Sequence, residues 1–202
     1  MTAILSTKPN TAKRAAAGAL LSASVLSGLA GLAGTSHAEN RPAAPQAANA
    51  AANSAQQVVN TAMSHVGEGQ AADGTSYFGK WYDKQTRQKG FAAAPWCDMF
   101  LSWASTEHGQ EKNTGRFAYT PWHADWFKKQ NRFDRTPRVG DFVFFDWKGG
   151  RAISGIDHVG MVTKVNKNGT FNTVEGNIGD KVVARKHNLA KVVGFGHPNY
   201  GA

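Results

Sequence analysis

The stretch His158-Val-Gly-Met-Val-Thr-Lys-Val-Asn-Lys-Asn-Gly-Thr-Phe-Asn-Thr-Val-Glu-Gly-Asn177 decides the fold. Two runs rich in Val, Met, Phe and Thr flank Asn168-Gly169, a pair suited to the positive φ angles of a tight hairpin turn. An antiparallel hairpin is expected, with strands over 158–166 and 170–177. Side chains alternate between the faces of a strand, so the register decides which residues meet. A two-residue turn on Asn168-Gly169, or a four-residue loop around it, puts His158, Glu175 and Asn177 on one face. A three-residue loop would not. Taken literally, the two-residue turn sets Glu175 opposite Val162, one strand repeat away from His158, with Asn177 nearer. A bulge at Gly160 or Gly176 would close that gap.

Working outward, Asp141-Phe-Val-Phe-Phe-Asp-Trp147 reads as an apolar strand, and 181–189 and 192–196 supply two more short segments. Upstream the periodicity is helical. Ser54 and Gln57 form a capping box ahead of Val58, Val59, Ala62, Met63 and Val66, and Gly67 is a stop. Residues 67–80 read as a glycine-rich loop, with Trp81-Tyr82 in a polar stretch after it. A second helix is expected over 95–108, with Pro95 in its first turn and Met99, Phe100, Trp103 and Ala104 as its apolar stripe. A third starts at Thr120-Pro121, carries Trp122 and Trp126 one turn apart, and ends on Lys128 and Lys129. Helices first and consecutive strands later indicate an α+β fold, with helices packed on an antiparallel sheet.

The chain has 202 residues and a formal net charge of +9. That length supports one core and argues against a two-domain enzyme. The aromatic share of 10% excludes wholesale disorder. Residues 1–38 read as a secretory signal peptide. Lys8, Lys13 and Arg14 lead a small, apolar run, and Ser36-His37-Ala38 offers small residues on either side of His37 for cleavage after Ala38. A membrane-spanning helix is the rival reading, disfavoured because Gly and Ser interrupt the run and no basic cluster follows it. Export follows, to an extracellular or wall-associated location, with no stable membrane anchor after cleavage. Residues 39–53, almost all Ala, Pro, Asn and Gln, read as a disordered spacer. Residues 54–202 form the folded domain, expected to be a monomer.

Cys97 is the single cysteine. It excludes an internal disulfide framework and a multi-cysteine zinc site. A lone exported thiol is either buried and inert or reactive and used. In the first turn of a helix, unpaired N–H groups and the dipole favour a thiolate and could hold an oxyanion. Asp98 would oppose the thiolate unless it points away. A nucleophilic thiol needs a base, and the base needs an orienting group. Of the histidines, His158 stands out, because Glu175 and Asn177 lie on the partner strand. The bland alternative is a hairpin with one polar face in water. Patterns for metalloproteases, serine hydrolases and phosphate loops are absent, and Asp73 and Asp83 are too isolated for calcium.

Four segments in this order resemble the CHAP family of cysteine- and histidine-dependent amidohydrolases and peptidases: residues 95–103, 140–147, 157–162 and 173–177. The resemblance extends over about 54–200. It implies a papain-like α+β fold and cleavage of amide bonds in peptidoglycan, by an N-acetylmuramoyl-L-alanine amidase or a peptide endopeptidase. It implies Cys97 as nucleophile, His158 as base, Glu175 as the acid that orients the histidine, and Asn177 as the following polar residue. Some members bind calcium through acids shortly before the cysteine. Residues 88–95 hold none, so no metal and no cofactor are expected. Trp96, Trp103, Phe142, Phe144 and Trp147 are expected in the core, whereas Trp81, Tyr82, Tyr119 and Trp122 fall in or beside loops, where packing is the simpler reading and lining a substrate groove the alternative. The positive charge suits anionic wall polymers. It would also suit nucleic acid, but no nucleic-acid module is present. A non-catalytic wall-binding or regulatory protein on the same scaffold is the alternative to a hydrolase.

Overall fold

The computed structural model describes residues 44–201, all within the unit Arg41–Ala202. The expected signal peptide and the first part of the expected spacer lie outside them. Five helices come first: α1 (Ala44–Ser64), α2 (Tyr77–Thr86), α3 (Cys97–Thr106), α4 (Glu111–Thr114) and α5 (Thr120–Lys129). Six strands follow: β1 (Phe133–Asp134), β2 (Phe142–Phe145), β3 (His158–Val165), β4 (Phe171–Ile178), β5 (Lys181–His187) and β6 (Val192–Gly196). They form one antiparallel sheet in the order β1-β6-β2-β3-β4-β5. The fold is α+β, as the order of periodicities implies. Among the described residues no helix is long and apolar enough to cross a membrane.

α3 is the central helix. Every residue from Cys97 to Ser105 is buried, and a helix apolar nearly all round must be enclosed. It packs on β3 and β4, where Gly176 makes the approach possible. A Cβ there would sit 2.8 Å from Trp96 Cζ3 and 2.9 Å from Phe100 Cβ. The sheet is covered on both faces, which explains the unbroken apolar run of β2. Phe142 and Phe144 join the helix-side core with Val159, Met161 and Val174. Val143 and Phe145 join a second cluster with Val162, Phe171, Val192 and Phe195.

Three expectations are corrected. α1 begins at Ala44, so the part of the 39–53 spacer that is described is helical. Alanine is the strongest helix former, and this half of α1 also has a surface to rest on. Ala51 packs on the core, and a Cβ at Gly201 would lie 3.1 Å from its methyl. Ser54 is accordingly no cap, and its hydroxyl donates back to the Ala50 carbonyl at 3.1 Å. Second, α2 occupies part of the expected loop and polar stretch. Its cap is Ser76, whose Oγ accepts from the Gly79 N–H at 2.8 Å. Third, the hairpin loop is wider than Asn168-Gly169. The pair nearest the turn is Val165 with Phe171, and the Asn166 N–H donates to the Thr170 carbonyl.

That wider loop has the wrong parity. Continued unchanged, the register of Val165 with Phe171 would set His158 and Glu175 on opposite faces. The ladder instead shifts between Val162 and Lys164, so that Val162 pairs with Thr173 and Met161 with Val174. One extra residue in β3, Thr163, flips the faces back. A bulge does bring the pair together, but it lies at Thr163 and not at Gly160 or Gly176. A second irregularity, between Glu175 and Ile178, falls in the β4–β5 ladder.

Candidate active site

β3 and β4 together build a buried dyad. His158 Nε2 donates to Glu175 Oε2 at 3.0 Å. In the shifted register Glu175 reaches across Gly160, where a Cβ would meet Glu175 Cγ at 2.7 Å. Only a residue without a side chain leaves that passage open. The carboxylate is used fully. Oε1 accepts from the Thr173 hydroxyl and from His187 Nε2, the latter at 2.6 Å. Arg185 Nη1 stands 3.5 Å from Oε2. Burial disfavours the charge on Glu175, but the hydrogen bonds from His158, His187 and Thr173 outweigh it and hold the carboxyl down at about 2. Glu175 is therefore a fixed anion behind the imidazole.

The ring of His158 is also held from the side. Trp147 stacks on it at 5.4 Å with an interplanar angle of 27°, and Phe145 lies at 6.0 Å. Trp147 is half-buried. It also packs against His187 and carries the Arg185 guanidinium 5.5 Å over its ring. Its expected place in the core is thus corrected to the wall of the site. His187, Arg185 and Thr173 were not singled out in the sequence. Alternation alone would have found Thr173, two residues before Glu175 on the same strand face. His187 and Arg185 required the β4–β5 register, which places Arg185 opposite Thr173.

Cys97 sits in the first turn of α3, and the backbone N–H groups of Val159, Asp98 and Cys97 itself face its sulfur. Those donors favour a thiolate, yet burial and then the Asp98 carboxylate outweigh them and push the thiol up to about 12. Burial and Asp98 thus work against the thiolate that the helix start favours. No hydrogen bond joins Cys97 to His158. With Nε2 on Glu175, Nδ1 is the ring nitrogen left for the thiol. Asp98 does not point to solvent. It is fully buried, with Oδ1 2.7 Å from His123 Nδ1.

A cavity of about 440 Å³ opens onto Cys97. Phe91, Pro95, Tyr119 and Ile156 give it apolar walls, and Asp157 is the one charged side chain among its lining residues. Of the aromatic candidates, Tyr119 lines this cavity, 53% exposed, and Trp122 beside it is 70% exposed. Their rings meet edge to face at 5.1 Å. Tyr82 is buried in the core, and Trp81 packs partly buried against it. Asn177 is not joined to His158. It adopts a left-handed φ of 61° and lines a separate hollow with Gln70 and Pro95. Among the described residues no cluster of three His, Cys, Asp or Glu side chains could hold a metal ion.

Residues 88–177 match the CHAP domain family. The CHAP match is narrower than the resemblance over 54–200, but it runs from the loop before α3 to the end of β4 and includes Cys97, His158, Glu175 and Asn177. No curated protein matches the chain. Among solved structures, the chain is similar to the peptidoglycan hydrolase RipB from Mycobacterium tuberculosis, with 17% identity, a TM-score of 0.42, and coverage of 78% of this chain and 73% of that one.

Proposed function

We propose that this chain is a secreted peptidoglycan hydrolase that cuts an amide bond of the wall peptide with Cys97. Both an N-acetylmuramoyl-L-alanine amidase and a peptide endopeptidase fit this chemistry. The observation that carries the reading is the His158–Glu175 dyad, anchored at 3.0 Å, with the backbone N–H of Val159, the next residue, facing the sulfur of Cys97 at a helix start, inside the CHAP match. Export behind a signal peptide cleaved after Ala38 belongs to the same reading, as does the affinity of a positively charged protein for anionic wall polymers.

The reaction is acyl transfer. The substrate carbonyl enters the cavity over Cys97. His158 Nδ1 takes the thiol proton as the sulfur attacks the carbonyl carbon, and Glu175 stabilises the imidazolium that forms. The backbone N–H groups of Cys97 and Asp98 hold the oxyanion. Collapse breaks the C–N bond, and His158 gives its proton to the leaving amine. Water, deprotonated by His158, then attacks the thioester and regenerates the thiol. Because burial and Asp98 disfavour a free thiolate, this reading couples ionisation of the thiol to the proton transfer.

The raised thiol favours one second reading, a wall-binding protein on the same scaffold that does not catalyse. Clearing of purified peptidoglycan by the chain and by Cys97→Ala separates the two. Clearing by the chain and none by the variant is expected. Equal clearing by both removes Cys97 as nucleophile, and none by either supports the binding protein. Mass analysis of released fragments assigns the bond.

A further inference from the structure

α3 places a buried carboxylate directly after the nucleophile, and α5 answers it with a buried imidazole. Asp98 Oδ1 lies 2.7 Å from His123 Nδ1, and His123 Nε2 lies 2.6 Å from the Thr114 carbonyl oxygen. Neither side chain has any exposed surface. A carbonyl oxygen only accepts, so Nε2 carries a proton. The contact between Nδ1 and the carboxylate requires another proton between them. Two protons on one imidazole and one carboxylate make the pair net neutral. The other carboxylate oxygen, Asp98 Oδ2, is buried with no hydrogen-bond partner.

The surroundings leave little else to neutralise Asp98. The His123 ring is stacked by Phe117 at 4.6 Å and Phe127 at 5.0 Å, with Phe142 and Phe144 at its edges. In such a medium a bare carboxylate acts strongly on a neighbouring acid. Taken as a bare charge, Asp98 would raise two groups, the Cys97 thiol and, from α2, the Tyr82 phenol. Arg116 also acts on Tyr82, but its paired acid is Glu111, at 3.9 Å. Ahead of β3 the titratable side chain that lines the cavity with Cys97 is Asp157, and His158 follows it at the start of the strand.

We propose that His123 is a positioning residue for the nucleophile: its proton neutralises Asp98, and so permits Cys97 to ionise when His158 calls for the proton. This rests on the reading of Cys97 as nucleophile. It also gives a reason for an acid beside a thiol that must become an anion. The carboxylate ties α5, which carries Trp122 and follows directly on Tyr119, to α3, while the imidazole cancels its charge.

The test is the rate of Cys97 alkylation by iodoacetamide at a fixed pH of about 8, where the rate follows the thiolate fraction, on the full chain, which contains no other cysteine. His123→Gln should slow alkylation about tenfold or more, and Asp98→Asn should speed it. The double variant should react faster than His123→Gln alone. A purely structural clamp would shift both single variants in the same direction, or neither, and either result overturns the proposal. Should the variants not fold, the wild-type chain still decides. Nitrogen-resolved NMR at neutral pH should show two protons on the pair, one on His123 Nε2 and one between Nδ1 and Asp98, and an imidazole protonated on Nε2 alone beside an ionised Asp98 would overturn the proposal. Alkylation reads the thiol directly, so failure here is distinct from failure of the peptidoglycan reading, which Cys97→Ala tests.

Discussion

Replacing Gly160 with alanine should disable the site without touching a chemical group in it. The added Cβ would stand 2.7 Å from Glu175 Cγ and 3.4 Å from its Cδ. Carbon atoms in contact prefer about 3.5–4.0 Å, so the side chain must move by about 1 Å. Applied to the 3.0 Å bond between His158 and Glu175, that displacement leaves about 4 Å, which is no hydrogen bond. A charge-assisted bond of this kind is worth about 1.5–3 kcal/mol. If it strengthens in the transition state, its loss lowers kcat/KM by about 10- to 150-fold. Overpacking should also cost about 1–3 kcal/mol of stability, so the comparison belongs at a temperature where both proteins are folded. The assay is release of soluble fragments from peptidoglycan across a pH series, with folding checked by circular dichroism. A folded Gly160→Ala protein within about twofold of the parent rate would refute the claim that Glu175 must cross this position to hold the imidazole.

Two further outcomes follow from the same contacts. Glu175 is held at about 2 against an ordinary 4.5. An acid whose value is depressed by folding stabilises the fold above its unfolded value, and this is lost as pH falls towards its folded one. Urea melts should therefore show stability declining from about pH 5 to pH 2, with about 3 kcal/mol of it due to this group. Glu175→Gln should flatten the decline, and an unchanged slope would count against the depressed value. At the cavity rim, Tyr119→Ala and Trp122→Ala should each raise KM by up to about tenfold with kcat nearly constant. Their exposure predicts stability changes within about 0.5 kcal/mol. An unchanged KM in both would remove the rim from substrate binding.

The sequence is most legible where a signal is local. The apolar run of β2 and the stripe on α3 depend on neighbouring residues and appear as read, and the Asn-Gly pair marks the hairpin although its loop is wider than two residues. The start of α1 is obscured because alanine-rich composition suits both a spacer and a helix, and the contact that decides between them is with Gly201, about 150 positions along the chain. α2 was obscured by Gly79 and by its polar face. The site divides in the same way. His158 and Glu175 share a hairpin, so alternation alone nearly pairs them, and the bulge at Thr163 supplies what a regular ladder cannot. Asn177 was placed with them by parity, but its left-handed backbone turns it out of the ladder. His187 depends on a second strand pairing and His123 on a helix 25 positions from Asp98, and nothing in local spacing points to either.

The seating of α1 on the chain's end has a practical side. A Cβ at Gly201 would lie 3.6 Å from the Ala47 carbonyl oxygen, one turn into that helix. A short linker could therefore splice the end of the domain to its beginning. New termini could then be opened at the exposed segment 87–90, which follows α2 and spares the β3–β4 hairpin. Such a rewired protein would keep the register of His158 and Glu175 while presenting its ends beside the cavity residue Phe91, a convenient place for a reporter or a tether.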